Sequence, residues 1–290
     1  MFIPRKILEE KLRAMLAEDI GEEDITTSLI IPPETIAEAE VISKEAGTVA
    51  GIEETEILSE SLGLTAKACA KDGDKVKSGQ ILLKIKGDAR TILTVERTLL
   101  NVISRMSGIA TTTANMVERI RKAGKRTRIA CTRKTAPGLL YFDKKAVLLG
   151  GGDPHRFHLD DMILIKDNHV VIAGSVEKAV KRAKERASFS KKIEVEVTRA
   201  EDILPAIYAG ADVIMLDNLS PKHVEKAVAL LRGKKLRERV LLEASGGITE
   251  KNLLEFASKN VDIISVGTIT NSAKALDISL EIRNVTEKRN

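Results

Sequence analysis

The sequence predicts an α/β chain in two parts, a small α+β unit followed by a β/α barrel. Three observations carry that prediction. Over roughly the first 90 residues, alternating segments punctuated by glycine read as strands. From about Thr94 the apolar period becomes helical, and beyond it short apolar runs alternate with amphipathic stretches every ~20–30 residues, the rhythm of repeated β-α units. Almost every run then ends in a polar cluster. A barrel builds its site in this way, from the C-terminal ends of several strands. An open sheet would gather such residues at one crevice.

Taken in order, residues 37–52 alternate and contain glycine, and the helix around Thr55–Leu62 follows. Residues 72–85 read as a turn and then a strand. Leu99, Val102, Ile103, Met106 and Ile109, then Met116, Val117 and Ile120, keep i, i+3, i+4 spacing as far as Gly124. The later apolar runs are Met162–Ile165, Ile193–Val197, Val213–Leu216, Val240–Leu242 and Ile263–Val266. Helical stretches fall near 175–187, 200–209, 221–232 and 250–259. The clusters closing the runs are Ile165-Lys166-Asp167-Asn168, Glu194-Val195-Glu196, Leu216-Asp217-Asn218, Glu243-Ala244-Ser245-Gly246-Gly247 and Ser265-Val266-Gly267-Thr268.

Composition narrows the function classes. The 290 residues are 43% hydrophobic and 31% charged, enough for a sizeable core and against chain-wide disorder. No apolar run approaches the ~18 residues of a spanning helix. The start, Met1-Phe2-Ile3-Pro4-Arg5-Lys6, lacks the apolar stretch of a signal peptide. Cys69 and Cys131 are too few for a disulfide framework, so a reducing cytoplasm is expected. Lys plus Arg number 47 against 42 Asp plus Glu, a net +5 that invites a nucleic-acid partner. Aromatic residues at 2%, with no Trp, argue against base stacking, and no nucleic-acid-binding motif is present. A smaller anion fits better.

Three sets of residues carry chemistry. Ser245-Gly246-Gly247-Ile248-Thr249 and Val266-Gly267-Thr268-Ile269-Thr270 each follow an apolar strand and are expected to open a helix. Free backbone N–H groups there suit a phosphate, and ordinary tight turns are the bland alternative. Glu194 and Glu196 share one strand face pointing into the barrel, where Asp217 can join them. Such carboxylates read either as a Mg²⁺ site that also holds substrate oxygens or as an internal ion pair with Lys or Arg. Arg133 and Lys134, His155 and Arg156, Lys166 in a barrel-interior position, and Arg97 on the long helix supply cations for a substrate bearing carboxylates and phosphates. Three motifs carry less weight. Gly150-Gly151-Gly152 is not a dinucleotide fingerprint. His155 and His158 have no third His nearby and sit beside Arg156. The stretch from Gly73 to Gly79 has a carrier-domain look but no modifiable lysine turn.

The combination resembles the quinolinate phosphoribosyltransferase family over essentially the whole chain. The resemblance rests on nine blocks in order: Glu96–Asn101, Ser107–Thr111, Thr132–Gly138, Gly150–Arg156, Leu164–His169, Glu194–Val197, Met215–Asn218, Glu243–Gly247 and Ile264–Gly267. It implies an incomplete α/β barrel with an N-terminal α+β sandwich domain completed by C-terminal residues, the domains spanning 1–106 plus about 271–290, and 107–270. It implies phosphoribosyl transfer from phosphoribosyl pyrophosphate to quinolinate with decarboxylation, giving nicotinate mononucleotide, pyrophosphate and CO₂ in de novo NAD synthesis. By position, Arg133, His155, Arg156 and Lys166 would hold the quinolinate carboxylates, with Lys134 alongside, and Arg97 would reach a neighbouring subunit's site in a homodimer or hexamer of dimers. Glu196 and Asp217 would sit around Mg²⁺ and the ribose hydroxyls. Ser245, Gly246 and Gly267 would take the 5-phosphate, and Lys134 and Lys166 would support protonation. Leu140 and Pro154 depart from residues common in the family, which bears on the loop at 138–155. The rivals are a nicotinate phosphoribosyltransferase or another same-fold transferase, and a basic nucleic-acid-binding protein. The cationic cluster is oversized for a monoanion, and steep salt dependence of DNA binding would mark the last.

Overall fold

The computed structural model describes residues 3–286. It divides into two compact units: Met1–Thr112 with Leu148–Gly150 and Ala273–Asn290, and Thr113–Val147 with Gly151–Ser272. Residues 1–2 and 287–290, the two ends of the expected first domain, lie outside the described residues.

In the first unit, strands β1 (Ile36–Ser43), β3 (Thr65–Ala68), β5 (Ile81–Asp88) and β12 (Ile278–Thr286) form an antiparallel sheet in the order β12-β1-β5-β3. The short pair β2 (Gly47–Thr48) and β4 (Lys75–Val76) stands apart. Alternation explains the central strand: Ala37, Ala39 and Val41 are buried, while Glu38 and Glu40 turn outward. There they meet Lys86 at 2.8 Å and Lys84 at 3.0 Å on one side, and Arg283 at 2.9 Å from Glu40 on the other. The C-terminal strand thus completes the N-terminal sheet, as the resemblance implies.

The long helix of this unit begins where the chain supplies a cap. Asp88 accepts a bond from the Thr91 N–H at 2.8 Å and starts the helix Ala89–Lys122, five residues before its apolar period becomes legible. Gly124, at φ 66°, follows its last turn. The expected helix at Thr55–Leu62 is Ile52–Ser61. Against it packs a helix that pattern alone does not mark, Arg5–Ile20, through Leu8, Leu12 and Leu16. Only those three of its residues are buried, scattered among charges, so its stripe is narrow.

The second unit is the barrel. Six parallel strands, β6 (Arg128–Ala130), β7 (Ile163–Ile165), β8 (Ile193–Val197), β9 (Val213–Asp217), β10 (Leu241–Ser245) and β11 (Ile263–Ser265), run in the order β6-β11-β10-β9-β8-β7. β6 and β7 do not pair, so the barrel is incomplete, and Ala130 bridges Asp153 instead. The register sets Asp217, Ser245 and Ser265 side by side at the ends of β9, β10 and β11. The glycine loop at 245–247 does not open a helix directly, contrary to expectation. A turn intervenes, and the helix is the short Leu253–Ala257. Among the described residues, no helix is long and apolar enough to cross a membrane.

Candidate active site

Strand alternation delivers the acids. On β8, Ile193, Val195 and Val197 are buried beside the helix Val176–Arg186, which leaves Glu194 and Glu196 on the opposite face. On β10, Leu242 and Ala244 are buried and Glu243 and Ser245 face the other way. The strand ends open on a cleft of about 540 Å³ belonging wholly to the second unit. Its walls include Arg133, Lys134, His155, Arg156 and Lys166 on the cationic side. Glu196, Asp217 and Glu243 are acids of the same cleft, and Ser245, Gly246 and Gly247 form one edge.

Glu194 corrects the sequence expectation. Of the two readings open for it, the geometry matches the internal ion pair, with a histidine in place of the Lys or Arg expected. Fully buried, Glu194 stands 3.3 Å from Nε2 of His155, and Glu243, equally buried, stands 3.3 Å from the same nitrogen. The contact with Glu243 has hydrogen-bond geometry, whereas the contact with Glu194 is a close approach of charges. Burial by itself disfavours the imidazolium, but the two carboxylates outweigh it and push His155 from 6.5 up to about 10. Burial pushes the Glu194 carboxyl up to about 7, opposed by His155. The Ser265 hydroxyl donates to the other oxygen of Glu243. Sequence reasoning placed Glu243 in a polar cluster without a role. An acid in an otherwise apolar strand was the available signal.

Lys166 is corrected as well. Its side chain is not in the barrel interior but exposed at the strand end, with Nζ 3.3 Å from Glu196 Oε1. Burial raises the Glu196 pKa, and Lys166 works against that rise. Asp217 accepts a bond from the Asn218 side chain at 2.9 Å. Arg156 is only 9% exposed, and burial, then the nearby Arg133, lowers its pKa. Two arginines on the wall of one cleft suit an anionic guest.

Loops fix the remaining parts. His155 sits at φ 54°, held by its own N–H bonding to Asp153 at 2.7 Å. Beneath it Lys144, a buried lysine that pattern did not mark, donates to the Pro154 carbonyl and lies 5.6 Å from the Phe157 ring centroid. Burial lowers the Lys144 pKa and raises that of Cys131, 3.5 Å away. The Lys134 carbonyl accepts from buried Thr270 at 2.8 Å. Gly246, at φ 91°, is obligatory: a Cβ there would fall 2.2 Å from Asn218 Oδ1. Gly267 sits at the start of the helix Thr268–Asn271, close against the Lys134 side chain. Arg97 is exposed on the long helix, in the first unit. His158 is exposed beside Asp160 and Asp161, away from His155's partners.

A second depression, of about 380 Å³, lies at the other end of the strands near Arg128, Leu241 and Ile263. One of its arginines, Arg237, is already paired with Asp262 at 2.9 Å. In barrels that end serves stability rather than chemistry.

Known proteins agree with this geometry. The family model for quinolinate phosphoribosyl transferase, N-terminal domain, matches residues 24–107, and that for its C-terminal domain matches residues 109–281. The chain is 46% identical over 274 residues to the "Probable nicotinate-nucleotide pyrophosphorylase (carboxylating)" of Methanothermobacter thermautotrophicus, covering 94% of this chain and 98% of that protein. It is 39% identical to the nicotinate-nucleotide pyrophosphorylase (carboxylating) of Rattus norvegicus, covering 85% and 82%. The solved structure of the nicotinate-nucleotide pyrophosphorylase from Francisella tularensis superposes with a TM-score of 0.88 at 38% identity over 97% of this chain and 98% of that one. Two domain matches that together span the chain from 24 to 281, and relatives matched over nearly their full length, leave one conclusion: the chain belongs to the quinolinate phosphoribosyl transferase family.

Proposed function

We propose that this chain transfers the phosphoribosyl group of phosphoribosyl pyrophosphate to quinolinate with loss of one carboxylate, yielding nicotinate mononucleotide, pyrophosphate and CO₂. The observation that carries the reading is the cleft itself. Arg133, His155, Arg156 and Lys166 form a wall with more positive charge than a single carboxylate needs, beside the edge made by Ser245 and Gly246. The wall holds the diacid, with Lys134 next to it. The backbone at 245–247, together with Gly267 beside the Lys134 stem, takes the sugar phosphate. Glu196 and Asp217 face the developing positive charge on the ribose as pyrophosphate leaves. Once ribosylated, the pyridine nitrogen is itself an electron sink, so decarboxylation calls for orientation more than for an acid. Lys134 and Lys166 are the candidates to support the final protonation.

A Mg²⁺ ion fits the donor set. Glu196 and Asp217 offer hard oxygens at an open cleft edge, and Mg²⁺ takes one or two carboxylates while keeping waters and substrate phosphates. Bound there, it would neutralise the leaving pyrophosphate. We further propose a cytoplasmic homodimer or hexamer of dimers in which Arg97 completes a neighbouring subunit's site. The deciding assay supplies purified protein with Mg²⁺, phosphoribosyl pyrophosphate and either quinolinate or nicotinate, and follows CO₂ and nucleotide. Turnover of quinolinate is expected, and turnover of nicotinate alone would remove the reading.

A further inference from the structure

We propose that Glu194 and Glu243 are positioning residues that hold the His155 imidazole as a cation, so that its Nδ1–H serves as a donor to the aromatic diacid. The inference rests on the substrate reading above and deepens it. Both glutamates are fully buried, come from separate strands, and meet at one ring nitrogen, Nε2, 3.3 Å from each. Nδ1 has no hydrogen-bond partner among the described residues and belongs to a side chain that lines the cleft.

The reason for two acids lies in the tautomers of imidazole. One carboxylate at Nε2 fixes the proton there and leaves a lone pair on Nδ1. That lone pair would face a substrate carboxylate, acceptor against acceptor. A second negative charge retains a second proton, and Nδ1 becomes a donor. Glu194 supplies that charge from a fully buried position, its Oε2 3.3 Å from the same ring nitrogen. The cations around the ring make the second charge necessary. Arg133, Arg156 and Lys166 share the cleft with it, and Lys144 holds the carbonyl of the preceding residue; all oppose an imidazolium. Asp153, whose carboxylate takes the His155 N–H, favours it, and Glu196 and Asp217 line the same cleft. The three side chains would also suit a divalent transition cation, since their ligand atoms lie within 4.8 Å of one another. The test separates the two.

The experiment is ¹⁵N NMR of the ring nitrogens in histidine-labelled full-length protein, with His155→Gln to assign the signal among four histidines. At pH 8, without substrate, His155 should show two protonated nitrogens. Its titration midpoint should fall by roughly two units or more in Glu243→Gln and in Glu194→Gln. In those variants KM for quinolinate at pH 8 should rise ~10-fold or more and recover on acidification, with KM for phosphoribosyl pyrophosphate unmoved. A neutral His155 in the wild type, or a resonance that shifts stoichiometrically with added Zn²⁺, overturns the inference. So does a loss confined to kcat with no recovery in acid. A cationic His155 in a chain inactive on quinolinate would instead remove the substrate reading and leave the charge assignment standing.

Discussion

At the scale of single residues, the cleft is a set of charges in unequal environments, and each environment makes a prediction. Lys166 is exposed and Glu196 half-buried, so removing either leaves the core intact. Lys166→Ala and Glu196→Ala should keep melting temperatures within a few degrees while kcat/KM falls ~100-fold or more. Wild-type-like rates in either variant contradict their placement. His155 predicts a pH effect on stability. Its folded pKa is raised from 6.5 to about 10, so its contribution is fully present below pH 6.5 and is lost as pH climbs through about 10. Glu194 acts in the same sense. Its carboxyl is raised from 4.5 to about 7, so charging it on the way to neutrality also costs stability. Thermal melts from pH 7 to 10 should fall more steeply for the wild type than for His155→Gln, by at most about 1.4 kcal/mol per pH unit. Parallel slopes would show that the ring is neutral.

At the scale of elements, what was legible in the sequence is what alternation and period report. The face shared by Glu194 and Glu196 follows from strict alternation within five residues, and the strand-end clusters follow from the same rule. The partners around Glu194 do not, because His155 lies in a loop 39 residues earlier and Glu243 on a strand 49 residues later, brought near only by the strand order β10-β9-β8. Lys144 was hidden for a related reason. A lysine in the helix Leu140–Leu149 reads as solvated until the 153–157 loop is seen to cover it. Gly246 shows a local demand becoming a functional one. The positive φ is a turn requirement, but the clash at Asn218 ties the glycine loop of β10 to the end of β9. Gly246→Ala should push these two loops apart, raising KM for phosphoribosyl pyrophosphate ~10-fold or more while KM for quinolinate changes little. An equal rise in both constants would mean that the seat for the sugar phosphate lies elsewhere.

At the scale of the whole molecule, the proposed association makes a prediction of its own. Leu29 is 80% exposed and Ile30 68% in the first unit, and Val171 and Ile172, on the helix that follows Lys166, are 78% and 85% exposed in the second. If sites are shared in the proposed dimer, Arg97 of one subunit and Lys166 of the other serve the same reaction. Arg97→Ala and Lys166→Ala should then each be nearly inactive alone. Mixed and allowed to exchange subunits, they should recover activity, because each mixed dimer holds one doubly altered site and one intact site. Equal, random mixing places an intact site at about a quarter of all positions, which sets the expected ceiling of recovery. Recovery that depends on exchange, and is absent when each variant is crosslinked beforehand, is the signature of a shared site. No recovery after exchange is verified by mass would place Arg97 outside the chemistry and leave the cleft of the second unit complete within one chain.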